Sequence, residues 1–102
     1  MSDHYVLDGH NAVPAGLMEW AAMMERRDRH VAITKIGTSE VSTVFLGLDH
    51  SFGCGPPLLF ETMVFGGPMD QEQDRCSTWE QAEAMHKAMC ERVEATPSGD
   101  EG

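Results

Sequence analysis

Three segments rich in β-branched and aromatic residues most constrain how this chain can fold. They span residues 31–36, 41–48 and 58–65, and each has the length and composition of a β-strand. The first two are joined by a Gly-Thr-Ser sequence at residues 37–39, which is typical of a hairpin loop. The third ends at two glycines followed by a proline. We therefore predict an antiparallel meander of three consecutive strands.

The apolar residues of these strands favour one register. If Ile33 pairs with Val44, and Leu46 pairs with Phe60, one face of the sheet becomes almost wholly apolar. This first face would carry Val31, Ile33, Val44, Leu46, Leu48, Leu58 and Phe60. The second face would carry Ala32, Thr34, Ile36, Thr43, Phe45, Glu61, Met63 and Phe65. We expect the helices to pack on the first face. Because the second face is also too apolar for water, we expect another element or a second copy of the chain to cover it.

Two further segments have the periodicity of amphipathic helices. After Pro14, which suits a first helical turn, one helical face carries Leu17, Trp20, Ala21 and Met24. The second helix should begin at a capping box, formed either by Thr78 with Gln81 or by Ser77 with Glu80. Its apolar stripe carries Ala82, Met85, His86, Met89 and Val93. We expect His86 to be a hydrogen-bonded histidine at the edge of the core rather than a metal ligand.

The order of these elements predicts the fold class. A short strand over residues 4–7, a helix, three strands and a helix indicate an α+β fold. Its core would be a three- to four-stranded antiparallel sheet with two helices packed on one face. Because 102 residues fit one domain, we expect a single compact domain over residues 1–95. Residues 96–102 contain few apolar side chains and should form a disordered acidic tail.

The charge balance limits the classes of partner. The chain has 17 acidic and 7 basic residues, which give a formal net charge of −10. Such a surface repels phosphate groups, so we expect neither direct nucleic-acid binding nor membrane binding. No apolar segment approaches the roughly 18 residues of a membrane helix, and the first eight residues lack the pattern of a secretory signal. We therefore expect a cytoplasmic protein whose three cysteines are reduced thiols.

The connection that begins at Asp49 and ends at Pro57 is long for a hairpin, and such loops are often functional. Asp49 could orient the imidazole of His50, and Cys54 would be accessible between two glycines. However, the spacing matches no catalytic signature, and the five histidines have no metal-site spacing. We predict no catalytic residue, metal or other cofactor. A recognition loop, a ligand-binding loop and a structural turn remain open interpretations.

Acidic residues supply further candidates for a binding site. Glu61 interrupts the third strand, where it would lie across from Phe45. It is expected either to pair with a cation or to contact a partner. Asp70, Glu72 and Asp74 precede the second helix, and helical spacing would extend this row. The continuation consists of Glu80, Glu83, Glu91 and Glu94. We expect the row to be solvated and to form the most negative surface.

Several stretches of the chain together resemble one protein family. They read STVFLGLDH at residues 42–50 and GPPLLFETMVFGG at residues 55–67, with YVLDGH at 5–10 and STWE at 77–80. These sequences are similar to a family of small uncharacterised proteins of tailed phages and prophages. The resemblance covers most of the chain except the tail. It implies a phage setting, and it carries no activity, cofactor or catalytic residue to transfer.

These observations favour a binding protein over an enzyme. The resemblance implies action in the host cytosol on a host protein, and the charge favours a partner with a basic surface. Such a protein would inhibit a host defence or nucleic-acid-handling system, and it would form a homodimer. The candidate partner-binding residues are Asp49, His50, Phe52, Glu61, Asp70, Glu72 and Asp74. The alternative is a small-molecule- or metal-binding module built on the loop over residues 49–57.

Overall fold

The computed structural model describes residues 4–25, 29–51 and 55–96. Two helices and two antiparallel sheets form an α+β fold, which confirms the predicted class. The elements in chain order are β1 (Tyr5–Asp8), β2 (Asn11–Pro14), α1 (Leu17–Met24), β3 (His30–Ile36), β4 (Ser39–Phe45), β5 (Phe60–Phe65), β6 (Gln73–Cys76) and α2 (Trp79–Ala95). The predicted tail, apart from Thr96, lies outside the described residues, and no described helix is long and apolar enough to cross a bilayer.

The larger sheet contains the predicted meander and a fourth strand that the sequence did not indicate. Its strand order is β3-β4-β5-β6, whereas β1 and β2 form a separate hairpin. Pro14 ends β2 instead of opening a helix, and α1 begins at Leu17. β6 has few residues that favour strands, so its pairing with β5 holds it in place. The preceding turn contains Gln71 at a φ of 75°, and its amide donates to the carbonyl of Val64.

The predicted register is wrong at the step from β4 to β5. Phe60 pairs with Phe45 and not with Leu46, and a shift of one residue moves every side chain of a strand to the other face. Ile33 pairs with Ser42 and not with Val44, but a shift of two residues leaves the faces unchanged. Consequently Phe45 lies on one face, fully buried, whereas Met63 and Phe65 lie on the other.

The helices also pack on the face opposite to the one predicted. The helix-covered face carries Ala32, Thr34, Ile36, Val41, Thr43, Phe45, Phe60, Thr62 and Val64. The other face, here called the open face, carries Ile33, Lys35, Glu40, Ser42, Val44, Glu61, Met63, Phe65, Gln73 and Arg75. α2 contacts all four strands from the helix-covered side. α1 buries Met23 beside Phe45 and Phe60, so both helices lie on the same side of the sheet.

A buried polar network explains why this face is the core. His86 of α2 is only 7% exposed, and its two ring nitrogens lie 2.9 Å from the hydroxyl of Thr34 and 2.7 Å from that of Thr43. The hydroxyl of Thr43 also bonds that of Thr62. Buried polar groups are tolerated when they are hydrogen-bonded, and this network satisfies all four side chains. The prediction that His86 is a hydrogen-bonded helix histidine is therefore confirmed.

Two apolar clusters flank this network along the strands. Phe45 and Phe60 pack with Leu59, Met23 and Ala82 at one end. The second cluster consists of Val41, Val64, Met89 and Val93. α2 begins at the first of the two predicted capping boxes, in which the amide of Gln81 donates to the hydroxyl of Thr78 at 3.1 Å and the Gln81 side chain accepts from the Thr78 amide. The cap and the stripe together place α2 across the sheet.

We predict that Thr43→Val destabilises the protein more than Thr62→Val does. Valine preserves the shape, but at position 43 it leaves Nδ1 of His86 and the hydroxyl of Thr62 without a partner, whereas at position 62 it removes one bond. An unsatisfied buried polar group costs about 1–3 kcal/mol. Urea unfolding of both variants should show the larger loss for Thr43→Val. Equal stability of Thr43→Val and the parent protein would show that the network makes no net contribution.

Candidate functional site

The loop after β4 is organised by the carboxylate of Asp49. One carboxylate oxygen accepts the backbone N–H of Ser51 at 2.8 Å and that of Leu58 at 3.1 Å, so it joins the two ends of the loop. Hydrogen bonds from Ser51, and from the amide of Leu58, hold the pKa of Asp49 below its usual value. Nδ1 of His50 lies 2.9 Å from the carbonyl oxygen of Leu48. Both polar side chains therefore support the loop itself, which favours the structural interpretation.

The candidate chemistry of this loop is not assembled in the described structure. Phe52 and Cys54 lie outside the described residues. Within residues 4–25, 29–51 and 55–96, no group of three or more His, Cys, Asp or Glu side chains is placed to hold a metal ion. Burial raises the pKa of the Cys76 thiol to about 11, which keeps it protonated and a poor nucleophile at neutral pH.

Two histidines instead pack against tryptophan rings near the first apolar cluster. His10 stacks on Trp79 with ring centroids 4.0 Å apart, and His4 meets the edge of Trp20 at 4.7 Å. Trp79 in turn packs against Phe60 of the core. The first contact attaches the turn of the β1–β2 hairpin to α2, and the second attaches the start of the hairpin to α1. Local sequence patterns do not indicate these contacts, because residues far apart in the chain form each pair.

Glu61 forms an ion pair on the open face. Its carboxylate accepts a hydrogen bond from Nε of Arg75 at 3.0 Å, and the pair joins β5 to β6. Glu61 lies across from Val44 and not from Phe45, as the corrected register requires. The prediction that Glu61 pairs with a cation is confirmed. The cation could not be named from the sequence, because β6 was predicted to be a connection. A role of Glu61 in binding a partner stays a prediction.

The three acids around β6, here called the β6 acids, are exposed: Asp70, Glu72 and Asp74. Asp70 accepts the amide of Gly66 at 2.6 Å, and Asp74 accepts the amide of Arg75 at 2.9 Å. Glu72 lies 3.9 Å from a guanidinium nitrogen of Arg92 in an exposed ion pair. The prediction that these acids are solvated is confirmed. Their backbone contacts fix two of the three carboxylates in position.

The acids of α2 do not continue this row. Glu80, Glu83, Glu91 and Glu94, here called the α2 acids, are all exposed. The contact with Glu72 turns Arg92 toward β6. At about 100° per residue, Glu83 and Glu94 lie roughly 160–180° around the helix from Arg92. They therefore lie on the flank of α2 above β3. The β6 acids and the α2 acids do not form the predicted single row, because Glu83 and Glu94 lie across the helix from Arg92 and the β6 acids. Glu80 and Glu91 lie about 100–120° around the helix from Arg92 and point away from the sheet.

The open face carries two of the four large apolar side chains that are exposed on the described surface. Ile33 is 50% exposed and Phe65 is 45% exposed, and the half-buried Val44 and Met63 lie on the same face. Among the described helices and strands, only α2 contacts all four strands, and it does so from the other side. A shallow cleft of about 430 Å³ lies at one end of the face, lined by Lys35, Glu40, Phe65 and the β3–β4 turn. This arrangement suits contact with another protein surface.

Comparisons with protein families, with characterised proteins and with solved structures find no match to this chain. The similarity to phage proteins therefore stays a prediction. Three features of the described residues bear on function: the structural loop at Asp49, the exposed acids around β6 and on α2, and the open face.

We predict that Asp49→Ala lowers the melting temperature, whereas Asp49→Asn does so much less. The asparagine side chain keeps an oxygen that can accept the amides of Ser51 and Leu58, and alanine does not. Thermal unfolding followed by circular dichroism would compare the two variants with the parent protein. If Asp49→Ala melts at the parent temperature, the carboxylate does not organise the loop, and its role in recognition regains support.

We also predict that stability depends on pH through His86. Burial lowers the pKa of His86 below its ordinary value of 6.5, so the folded protein binds this proton less readily than the unfolded chain. The stabilisation is complete above about pH 6.5 and is lost as the pH falls below that value. Urea midpoints from about pH 7 to about pH 5 should fall more steeply for the parent protein than for His86→Gln. The exposed His30→Gln variant should retain the parent slope, and an identical slope in His86→Gln would contradict the prediction.

Proposed function

We propose that this protein is a small acidic accessory protein of phage type that binds a host protein in the host cytosol. The partner has a basic surface, and binding inhibits a host defence or nucleic-acid-handling system. The resemblance to phage proteins in residues 42–50 and 55–67 supports the setting. The observation that carries the proposal is the exposed group of β6 acids, since only Arg92 pairs with any of them among the described side chains.

The geometry of the β6 acids favours binding to fixed cations. Asp70 and Asp74 are each held by a backbone amide, so little side-chain freedom is lost when a partner binds. The third carboxylate, on Glu72, has an exposed ion pair at 3.9 Å, which contributes little and is easily exchanged for a partner's arginine or lysine. A net charge of −10 also attracts a basic partner over long range and speeds association.

The alternative proposal, a small-molecule- or metal-binding module on the loop over residues 49–57, has weaker support. Asp49 and His50 are the obvious ligands, and both make hydrogen bonds to the loop backbone. A homodimer belongs with the main proposal. It is supported by the open face, which carries four apolar side chains and which no described helix or strand covers.

We predict that Asp70→Asn/Glu72→Gln/Asp74→Asn binds the host partner at least about tenfold more weakly than the parent protein, because three fixed charges are lost. Asn and Gln keep the backbone hydrogen bonds and the melting temperature. The matched control is Glu83→Gln/Glu91→Gln/Glu94→Gln, which removes the same charge from the parts of α2 that do not face β6 and should bind normally. The measurement is affinity purification from the infected host, followed by titration of the purified partner at several salt concentrations.

Binding should weaken steeply as salt is added, since screening reduces the attraction between exposed charges. A complex indifferent to salt would contradict the proposal. Equal losses in the two triple variants would show that only net charge matters, and that the β6 acids form no specific site.

A further inference from the structure

The open face carries four apolar side chains. Ile33, Val44, Met63 and Phe65 lie on it, and the first and last are about half exposed. Exposed apolar area costs roughly 25 cal/mol per Å² relative to burial, so a surface that covers this face gains stability. The other large exposed apolar side chains, Leu17 and Met18, lie on α1, away from this face.

The open face is also free of net charge, unlike the molecule as a whole. Its two basic residues each lie opposite an acid: Lys35 pairs in register with Glu40, and Arg75 bonds Glu61. The whole chain carries a net charge of −10. Two copies of such a chain repel one another at most surfaces. The open face is where a second copy meets no excess of like charge and can also bury apolar area.

The acids distinguish between two ways in which copies could associate. β3 is an edge strand, so two copies could pair edge to edge. That arrangement would bring together the α2 acids of both copies, because Glu83 and Glu94 lie on the β3 side of α2. Stacking through the open faces places each α2 on the outside of its own sheet. The stacked sheets alone separate the helices by about 10 Å, which exceeds the Debye length of about 8 Å at physiological salt.

We propose that a second copy of this chain docks on the open face, so that the two four-stranded sheets stack face to face. The inference rests on the homodimer in the proposed function and names its surface. Four strands about 4.8 Å apart and about 20 Å long span roughly 400 Å² per copy. The two copies together would cover about 800 Å², which is below the roughly 1,200–2,000 Å² that standard specific interfaces bury in total. The dimer is therefore weak and forms only at high protein concentration.

The decisive variant is Phe65→Lys. Phe65 is 45% exposed and lies on the inner strand β5, so a lysine there blocks stacked sheets but not edge pairing. Met18→Lys is the matched control, because it adds the same charge at an apolar side chain that is 83% exposed on α1. Sedimentation velocity from about 1 to about 500 µM would follow assembly. We expect at least about a tenfold weaker dimer for Phe65→Lys, no change for Met18→Lys and unchanged melting temperatures for both.

Ile33→Lys provides a second test at a half-exposed side chain if Phe65→Lys unfolds. A monomeric parent protein at all concentrations, or a dimer that Phe65→Lys leaves intact, would overturn the proposal. The response to added salt distinguishes a failure of this proposal from a failure of the proposed function. Added salt should preserve or strengthen the dimer, because it screens the repulsion between acidic copies, and it should weaken the host complex. Loss of the dimer with retained host binding would refute only the stacking.

Discussion

The arrangement of α2 on the sheet depends on the hydrogen bonds of one buried histidine. Both ring nitrogens of His86 form hydrogen bonds with threonine hydroxyls on neighbouring strands, and the hydroxyl of Thr43 also bonds that of Thr62. A one-residue slip of either strand would carry its hydroxyl to the other face and leave a buried polar group unpaired. Such a group costs about 1–3 kcal/mol, a large share of the stability of a small domain. The network therefore specifies the register, whereas the flanking apolar clusters supply most of the burial.

The sequence was sufficient for the fold class, the three central strands and α2. Those elements have strong local signals, such as the capping box at Thr78 and the 3.6-residue stripe through Met89. The predicted sheet faces are wrong because alternating apolar and polar residues in a strand usually place the apolar residues in the core and the polar residues in solvent. Here the buried face contains Thr34, Thr43 and Thr62, and their burial depends on a histidine more than 20 residues away in the chain. Local pattern cannot reveal that dependence.

The candidate site was predictable to a similar extent. The sequence identified Asp49, Glu61 and the exposed acids as residues that needed explanation, and the structure gives each a partner or an exposed position. It could not show that the acids divide into two groups. Spacing along a helix fixes which residues share a flank, but not which strand that flank faces. The contact between Arg92 and Glu72 supplies the missing orientation.

Both proposed binding surfaces result from the unusual placement of polar residues on the core side of the sheet. Because threonines and a histidine occupy the core side of the sheet, Ile33, Met63 and Phe65 are displaced to the open side. The charged residues of that side are paired with one another, so the excess of acids lies around β6 and on α2. A neutral contact and an acidic contact respond to salt in opposite directions.

The two proposed contacts lie on different sides of the sheet, so a second copy and a basic partner would not compete. The proposed stacked dimer would present two groups of β6 acids to its partner. Linked sites of this kind bind a repetitive or two-fold symmetric partner far more tightly than one site does.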